Sequence, residues 1–151
     1  MILQTHKLMG TTMNKHFSSQ HVVSERRSRN DGKDVVLTTR IGRTYRFESA
    51  HHLPNLPDGH KCKNLHGHNY RMEVVMCGGL DDRGFVRDFA EMDAELGPLL
   101  KLVDHRLLND VEGLENPTAE IIARWFFERV PNCESVRIYE NDDCWAEVRA
   151  D

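Results

Sequence analysis

Residues 62–68 read CKNLHGH: a cysteine, then His66 and His68 separated by one glycine, with His51 fifteen residues upstream in FESAHHLP. Side chains two apart on a strand project from one face, about 6.5 to 7 Å apart along the chain. His66 and His68 meet that condition, and Gly67 removes bulk from the opposite face. A third imidazole from a neighbouring strand would complete a set of three nitrogens, and His51, at the end of the preceding strand, is the candidate. Three histidines with an open fourth position are the catalytic arrangement for zinc, whereas structural sites are closed by four protein ligands. Neutral imidazoles also leave the ion's full charge available to polarise a bound oxygen. Nitrogen ligands suit nickel, copper or iron as well. His52 falls on the opposite strand phase from His51, and His60 lies in a loop, so neither joins the set.

Cys62 has two readings. As a fourth ligand it would close a Cys-His site that staples the fold. Beside the metal it would be an acid or base, since a nearby cation favours thiolate over a free thiol of pKa about 8.5. Spacing does not separate the two.

The elements that must position these groups begin near Val36. VVLTTRIGRTYRFESAHHL is rich in β-branched and aromatic residues and puts Tyr45, Phe47, Ser49 and His51 on one strand phase. LPNLPDGHK, with two prolines and a glycine, is a loop. HGHNYRMEVVMCGG reads as a second strand and RGFVRDF as a short third one. DFAEMDAELGPLLKLV spaces Phe89, Met92, Leu96, Leu99 and Val103 for a helix with an apolar stripe, which Pro98 should kink. Asn116 as cap and Pro117 as first helical residue mark a second helix, with Ile122, Trp125 and Phe126 on its buried face. SVRIYE and CWAEVRA close the chain as two strands joined through NDD. The expected order is β-β-β-α-α-β-β, an α+β domain whose antiparallel sheet is covered on one face by two helices.

Residues 1–36 are polar, mixed in charge and without period around SSQHVVSERRSRNDGKD, so they read as a flexible leader to a domain of residues 37–151. The chain of 151 residues carries 20 Lys and Arg against 24 Asp and Glu, net −4, which makes no case for nucleic-acid or membrane-surface binding. No apolar run reaches the roughly 18 residues of a membrane helix. The opening residues make a poor signal peptide. Cys62, Cys77, Cys133 and Cys144 show no close-spaced framework and read as free thiols in a reducing cytoplasm.

FESAHHL, CKNLHGH, GFVRDF, LVDHRLLND, NPTAE and VRIYE, in this order over residues 38–149, resemble the 6-pyruvoyltetrahydropterin synthase / 6-carboxytetrahydropterin synthase family. The three residues between Cys62 and His66 look like the bacterial 6-carboxytetrahydropterin synthase branch, which feeds queuosine synthesis. The resemblance implies the tunnelling fold: a four-stranded antiparallel sheet with two helices on one face, in trimers stacked as hexamers with active sites between subunits. It implies His51, His66 and His68 as zinc ligands and Cys62 as the catalytic cysteine. Asp104 and His105 match the pair that works with it, Glu140 the glutamate that anchors the pterin ring, and Thr118 a segment lining the pterin pocket. The implied substrate is dihydroneopterin triphosphate, with Lys61 and Lys63 as local candidates for its phosphates. Triphosphate elimination without carbon–carbon cleavage, giving 6-pyruvoyltetrahydropterin, is the alternative outcome, and a non-catalytic zinc-stapled module is the alternative class.

The residues support these assignments. Glu140 shares strand phase with Val136 and Ile138, so a carboxylate finishes an apolar face. It can accept two parallel N–H donors from a pterin edge. Asp104 beside His105 can fix a ring tautomer while the histidine relays protons. Two departures stand out: Ser49 where alanine is usual, and Met92-Asp93 where leucine-lysine is common.

Overall fold

The computed structural model describes residues 27–151, and residues 1–26 of the expected leader lie outside the described residues. The rest of that leader forms a hairpin. β1 (Arg27–Asn30) and β2 (Lys33–Val36) pair antiparallel through Asp31-Gly32, whose φ of 49° and 80° are the turn that an Asp-Gly pair favours.

The domain is a five-stranded sheet in the order β5-β3-β4-β6-β7. Four long strands carry it: β3 (Thr39–His51), β4 (His66–Gly78), β6 (Cys133–Tyr139) and β7 (Trp145–Arg149), with all neighbouring pairs antiparallel. β5 (Arg106–Leu107) adds two residues parallel to β3, one strand beyond the four expected. α1 (Phe89–Val103) packs on β3, and α2 (Ala119–Phe127) packs on β6 and β7.

Alternation explains which face is covered. Tyr70, Met72, Val74 and Met76 of β4 are buried, with Phe47 of β3 and Val136 and Ile138 of β6, against Met92, Leu96, Ile122 and Phe126 of the helices. The intervening residues carry charge on the helix-free face. There the Arg71 guanidinium stands 3.5 Å from the Tyr139 ring centroid, and Arg137 stands 4.3 Å from that of Trp145.

Three local expectations are corrected. RGFVRDF is not a strand: the Asp81 carboxylate accepts from the N–H groups of Arg83 and Phe85, and Gly84 turns at φ 89°, so side-chain turn chemistry overrides β propensity. Phe89 is 49% exposed and not part of the buried stripe, lying beneath the Arg43 guanidinium at 5.8 Å. The cap of α2 is Thr118, whose hydroxyl accepts from Ile121 N–H, because the Asn116 side-chain oxygen is taken by Asn55 N–H. Pro98 lies within α1, which runs unbroken through it. Ala94 and Pro98 are both exposed, so water can satisfy the carbonyl that lacks its amide partner.

The two departures have structural partners. Ser49 Oγ donates to the carbonyl of Val103 at 2.6 Å, tying the end of α1 to β3. Asp93 holds Arg43 through two contacts of 3.0 and 2.9 Å. Among the described residues no helix is long and apolar enough to cross a membrane.

Candidate active site

The register of β3 against β4 builds the imidazole cluster. His51 stands directly opposite His66, and Ser49 opposite His68, so His68 is the diagonal neighbour of His51 on the same face. Ring centroids lie 4.5 Å apart for His51–His66, 5.2 Å for His51–His68 and 6.2 Å for His66–His68. One ring nitrogen from each lies within 4.8 Å of the other two. Gly67 makes the approach possible: a Cβ there would sit 3.0 Å from the carbonyl oxygen of Ser49.

Each ring is oriented by a backbone carbonyl. Nδ1 of His51 lies 3.0 Å from the Pro117 oxygen, Nδ1 of His66 2.8 Å from that of Asn64, and Nδ1 of His68 3.2 Å from that of Asn69. A carbonyl can only accept, so each Nδ1 carries the hydrogen and each Nε2 keeps its lone pair. Tyr70 Oη lies 3.2 Å from the same nitrogen of His51 and shares its N–H. His51 is 1% exposed, and its Nε2 is buried without a hydrogen-bond partner. Burial, ahead of every other cause, lowers its pKa and favours the neutral ring. Three neutral nitrogens, tautomers set from behind and one lone pair orphaned, fit a divalent ion such as zinc.

Cys62 is not part of the cluster. It sits on the short 3₁₀ turn Lys61–Lys63, half-buried, with its carbonyl accepting from Leu53 N–H and its own N–H donating to His60 Nδ1. That turn holds the thiol beside the chain that leaves β3 after His51. All four cysteines are free. At Cys133 burial pushes the thiol up to about 11, and it donates to backbone carbonyls. Lys63 pairs with Asp58 on the same loop, and Lys61 is exposed.

Asp104 and His105 follow α1 at a sharp corner. His105 adopts φ 55°, and its N–H donates to the Glu48 carbonyl at 2.6 Å. Asp104 Oδ1 accepts from Glu48 N–H at 3.0 Å and lies 3.0 Å from His105 Nδ1. The Glu48 amide, then the His105 ring, hold the Asp104 carboxyl below the usual range. Glu48 alternates with buried Phe47 and Ser49, so this pair stands on the helix-free face, opposite to the imidazole cluster.

Glu140 lies where β6 ends. β4 continues past its last pairing with β6, Arg71↔Tyr139, so residues 66–70 have no β6 partner and His68, Asn69 and Tyr70 among them wall a notch. This cavity of ≈ 320 Å³ is lined by His68, Asn69, Tyr70, Arg71, Tyr139 and Glu140, among others. A second, of ≈ 460 Å³, lies between Glu48, Gly67, His68, His105 and Arg106. His68 borders both. Thr118 and Cys62 line neither. Sequence reasoning missed Glu48, Tyr70 and the Pro117 carbonyl, which act through contacts only a folded chain brings together.

Residues 40–151 match the family described as 6-pyruvoyl tetrahydropterin synthase. The chain belongs to that family. It is 39% identical over 114 residues to a putative 6-carboxy-5,6,7,8-tetrahydropterin synthase of Archaeoglobus fulgidus, covering 72% of this chain and 94% of that one. It is 40% identical over 111 residues to 6-carboxy-5,6,7,8-tetrahydropterin synthase of Synechocystis, covering 66% of this chain and 84% of that one. The 6-pyruvoyl tetrahydropterin synthase structure of Caenorhabditis elegans superposes with a TM-score of 0.70 at 29% identity, over 76% of this chain and 97% of that one. The sheet with two helices on one face is therefore the family's tunnelling fold.

Proposed function

We propose that the protein is a zinc-dependent 6-carboxytetrahydropterin synthase. Its substrate is 7,8-dihydroneopterin triphosphate, its products are 6-carboxy-5,6,7,8-tetrahydropterin, acetaldehyde and triphosphate, and its pathway is that of queuosine. Names of relatives support the reaction class. The observation that carries the reading is that His68 belongs both to the imidazole cluster and to the wall of the Glu140 notch. A ring held at Glu140 would thus present its side chain to the metal ligands.

His51, His66 and His68 would hold zinc, which supplies a Lewis acid for oxygens of the substrate side chain. Glu140 accepts the paired N–H donors of the pterin edge. Cys62 takes a carbon-bound proton from the side chain. His105, its Nδ1 held by Asp104, returns protons through Nε2. Water provides the second carboxylate oxygen, the two outer carbons leave as acetaldehyde, and the ring gains its electrons from the same side chain, so no redox cofactor enters. Thr118 spends its hydroxyl on the α2 cap and lines neither cavity, so its contribution would be to hold the start of α2.

Asp104 and His105 face away from this chain's own imidazoles, which supports a homo-oligomer, a hexamer of stacked trimers, in which the pair serves a neighbouring subunit. Four free thiols suit a cytoplasmic enzyme.

Incubation with dihydroneopterin triphosphate tests the proposal. Acetaldehyde and triphosphate should appear in equal amounts. Triphosphate without acetaldehyde would mark the 6-pyruvoyl outcome, and neither product would refute the enzyme.

A further inference from the structure

Residue 48 touches the Asp104–His105 corner three times. Its N–H donates to Asp104 Oδ1 at 3.0 Å, its carbonyl accepts from His105 N–H at 2.6 Å, and its Oε2 lies 3.8 Å from His105 Nε2. The two backbone contacts hold the corner in its left-handed turn, and any residue at this position would supply them. The carboxylate is the specific part. With Asp104 Oδ1 3.0 Å from Nδ1, the ring of His105 is bracketed by a carboxylate at each nitrogen. A separation of 3.8 Å exceeds hydrogen-bond reach, so Glu48 sets charge beside Nε2 without a hydrogen bond to it. His105 and Glu48, with Gly67, line the second cavity together.

We propose that Glu48 is a positioning residue for His105: it fixes the rotation of the imidazole and keeps Nε2 facing the space where protons are exchanged. The proposal rests on the reading of His105 as the proton relay. The pair it serves is tied at the backbone and exposed at the side chains, with His105 75% and Asp104 43% accessible, so the ring needs a second anchor to hold one orientation. Asp104 alone fixes one nitrogen and leaves the ring free to swing about that contact.

Glu48→Gln and Glu48→Asp in the zinc-loaded protein test this. Both keep the backbone contacts; the first removes the charge, and the second keeps it on a shorter arm. In Glu48→Gln, kcat for acetaldehyde release should fall about 10- to 100-fold, less than the full contribution of a general acid or base. KM should stay within about twofold, as for a group acting only in the chemical step. Glu48→Asp should recover part of the loss. In protein labelled with ¹⁵N-histidine, the ring signals of His105, assigned through their loss in His105→Ala, should shift in Glu48→Gln and move back in Glu48→Asp. Unmoved ring signals, or an unchanged kcat, would overturn the proposal. Ring signals that shift as stated in the two variants, when the wild-type protein releases no acetaldehyde, would uphold the coupling while refuting the proposed function.

Discussion

His51 stands directly opposite His66 across the β3–β4 ladder, with its Nδ1 3.0 Å from the carbonyl of Pro117 on the approach to α2. Three parts of the chain, β3, β4 and the start of α2, therefore meet at one ring. The most buried imidazole of the cluster is also the one whose orientation depends on the helical layer.

Metal should consequently stabilise the fold as well as activate it. An ion at 100 times its dissociation constant adds about 2.7 kcal/mol, and each kcal/mol shifts the melting temperature of a chain this size by about 2–4 °C. Chelation should abolish acetaldehyde release and lower the melting temperature by about 5–10 °C. Both should return with zinc. In His51→Ala the melting temperature should not respond to zinc, as calorimetry with and without the ion would reveal.

The strand-borne part of this site was legible before folding because its period is short. His66 and His68 are two apart, and one strand fixes their common face. His51 required only that adjacent hydrophobic strands pair antiparallel, which they do. The groups that aim the rings were not legible, since Pro117 is 66 residues from His51 and offers only a carbonyl. The corner of Asp104 and His105 shows the same limit: its anchor, Glu48, lies 56 residues from Asp104. Local side-chain chemistry misled elsewhere. Asn116 and Thr118 are both good caps, and only the contact of Asn116 with Asn55 decides between them. In GFVRDF, β-forming residues lose to the Asp81 turn.

Gly67 offers a test of how tightly the ladder sets the imidazoles. In Gly67→Ala the new methyl would meet the Ser49 carbonyl at 3.0 Å and Ala50 Cα at 3.4 Å, both backbone atoms that move only if β3 moves. The expected cost is about 1–3 kcal/mol, with weaker zinc binding because His51 and His68 flank the contact. Gly97→Ala is the control, since nothing lies within 4 Å of its added Cβ in α1. It should gain up to about 1 kcal/mol through helix propensity. Urea unfolding and zinc titration of both variants distinguish a local clash from general sensitivity.

Glu140 should govern binding of the ring and leave the metal alone. Hydrogen bonds to a charged acceptor contribute about 1.5–3 kcal/mol, so Glu140→Gln should raise KM about 10- to 100-fold. Zinc content should stay at one per chain. Steady-state kinetics beside metal analysis provide the check, and loss of zinc in this variant would contradict the separation of the two roles.

The division of labour between three imidazoles and a free sulfur is read most directly by X-ray absorption at the zinc edge of the wild-type protein and of Cys62→Ala. Nitrogen scatterers at about 2.0–2.1 Å, no sulfur shell, and identical spectra from a folded but inactive Cys62→Ala are the expected result. A sulfur shell at about 2.3 Å that disappears in Cys62→Ala would make the thiol a ligand and contradict the account.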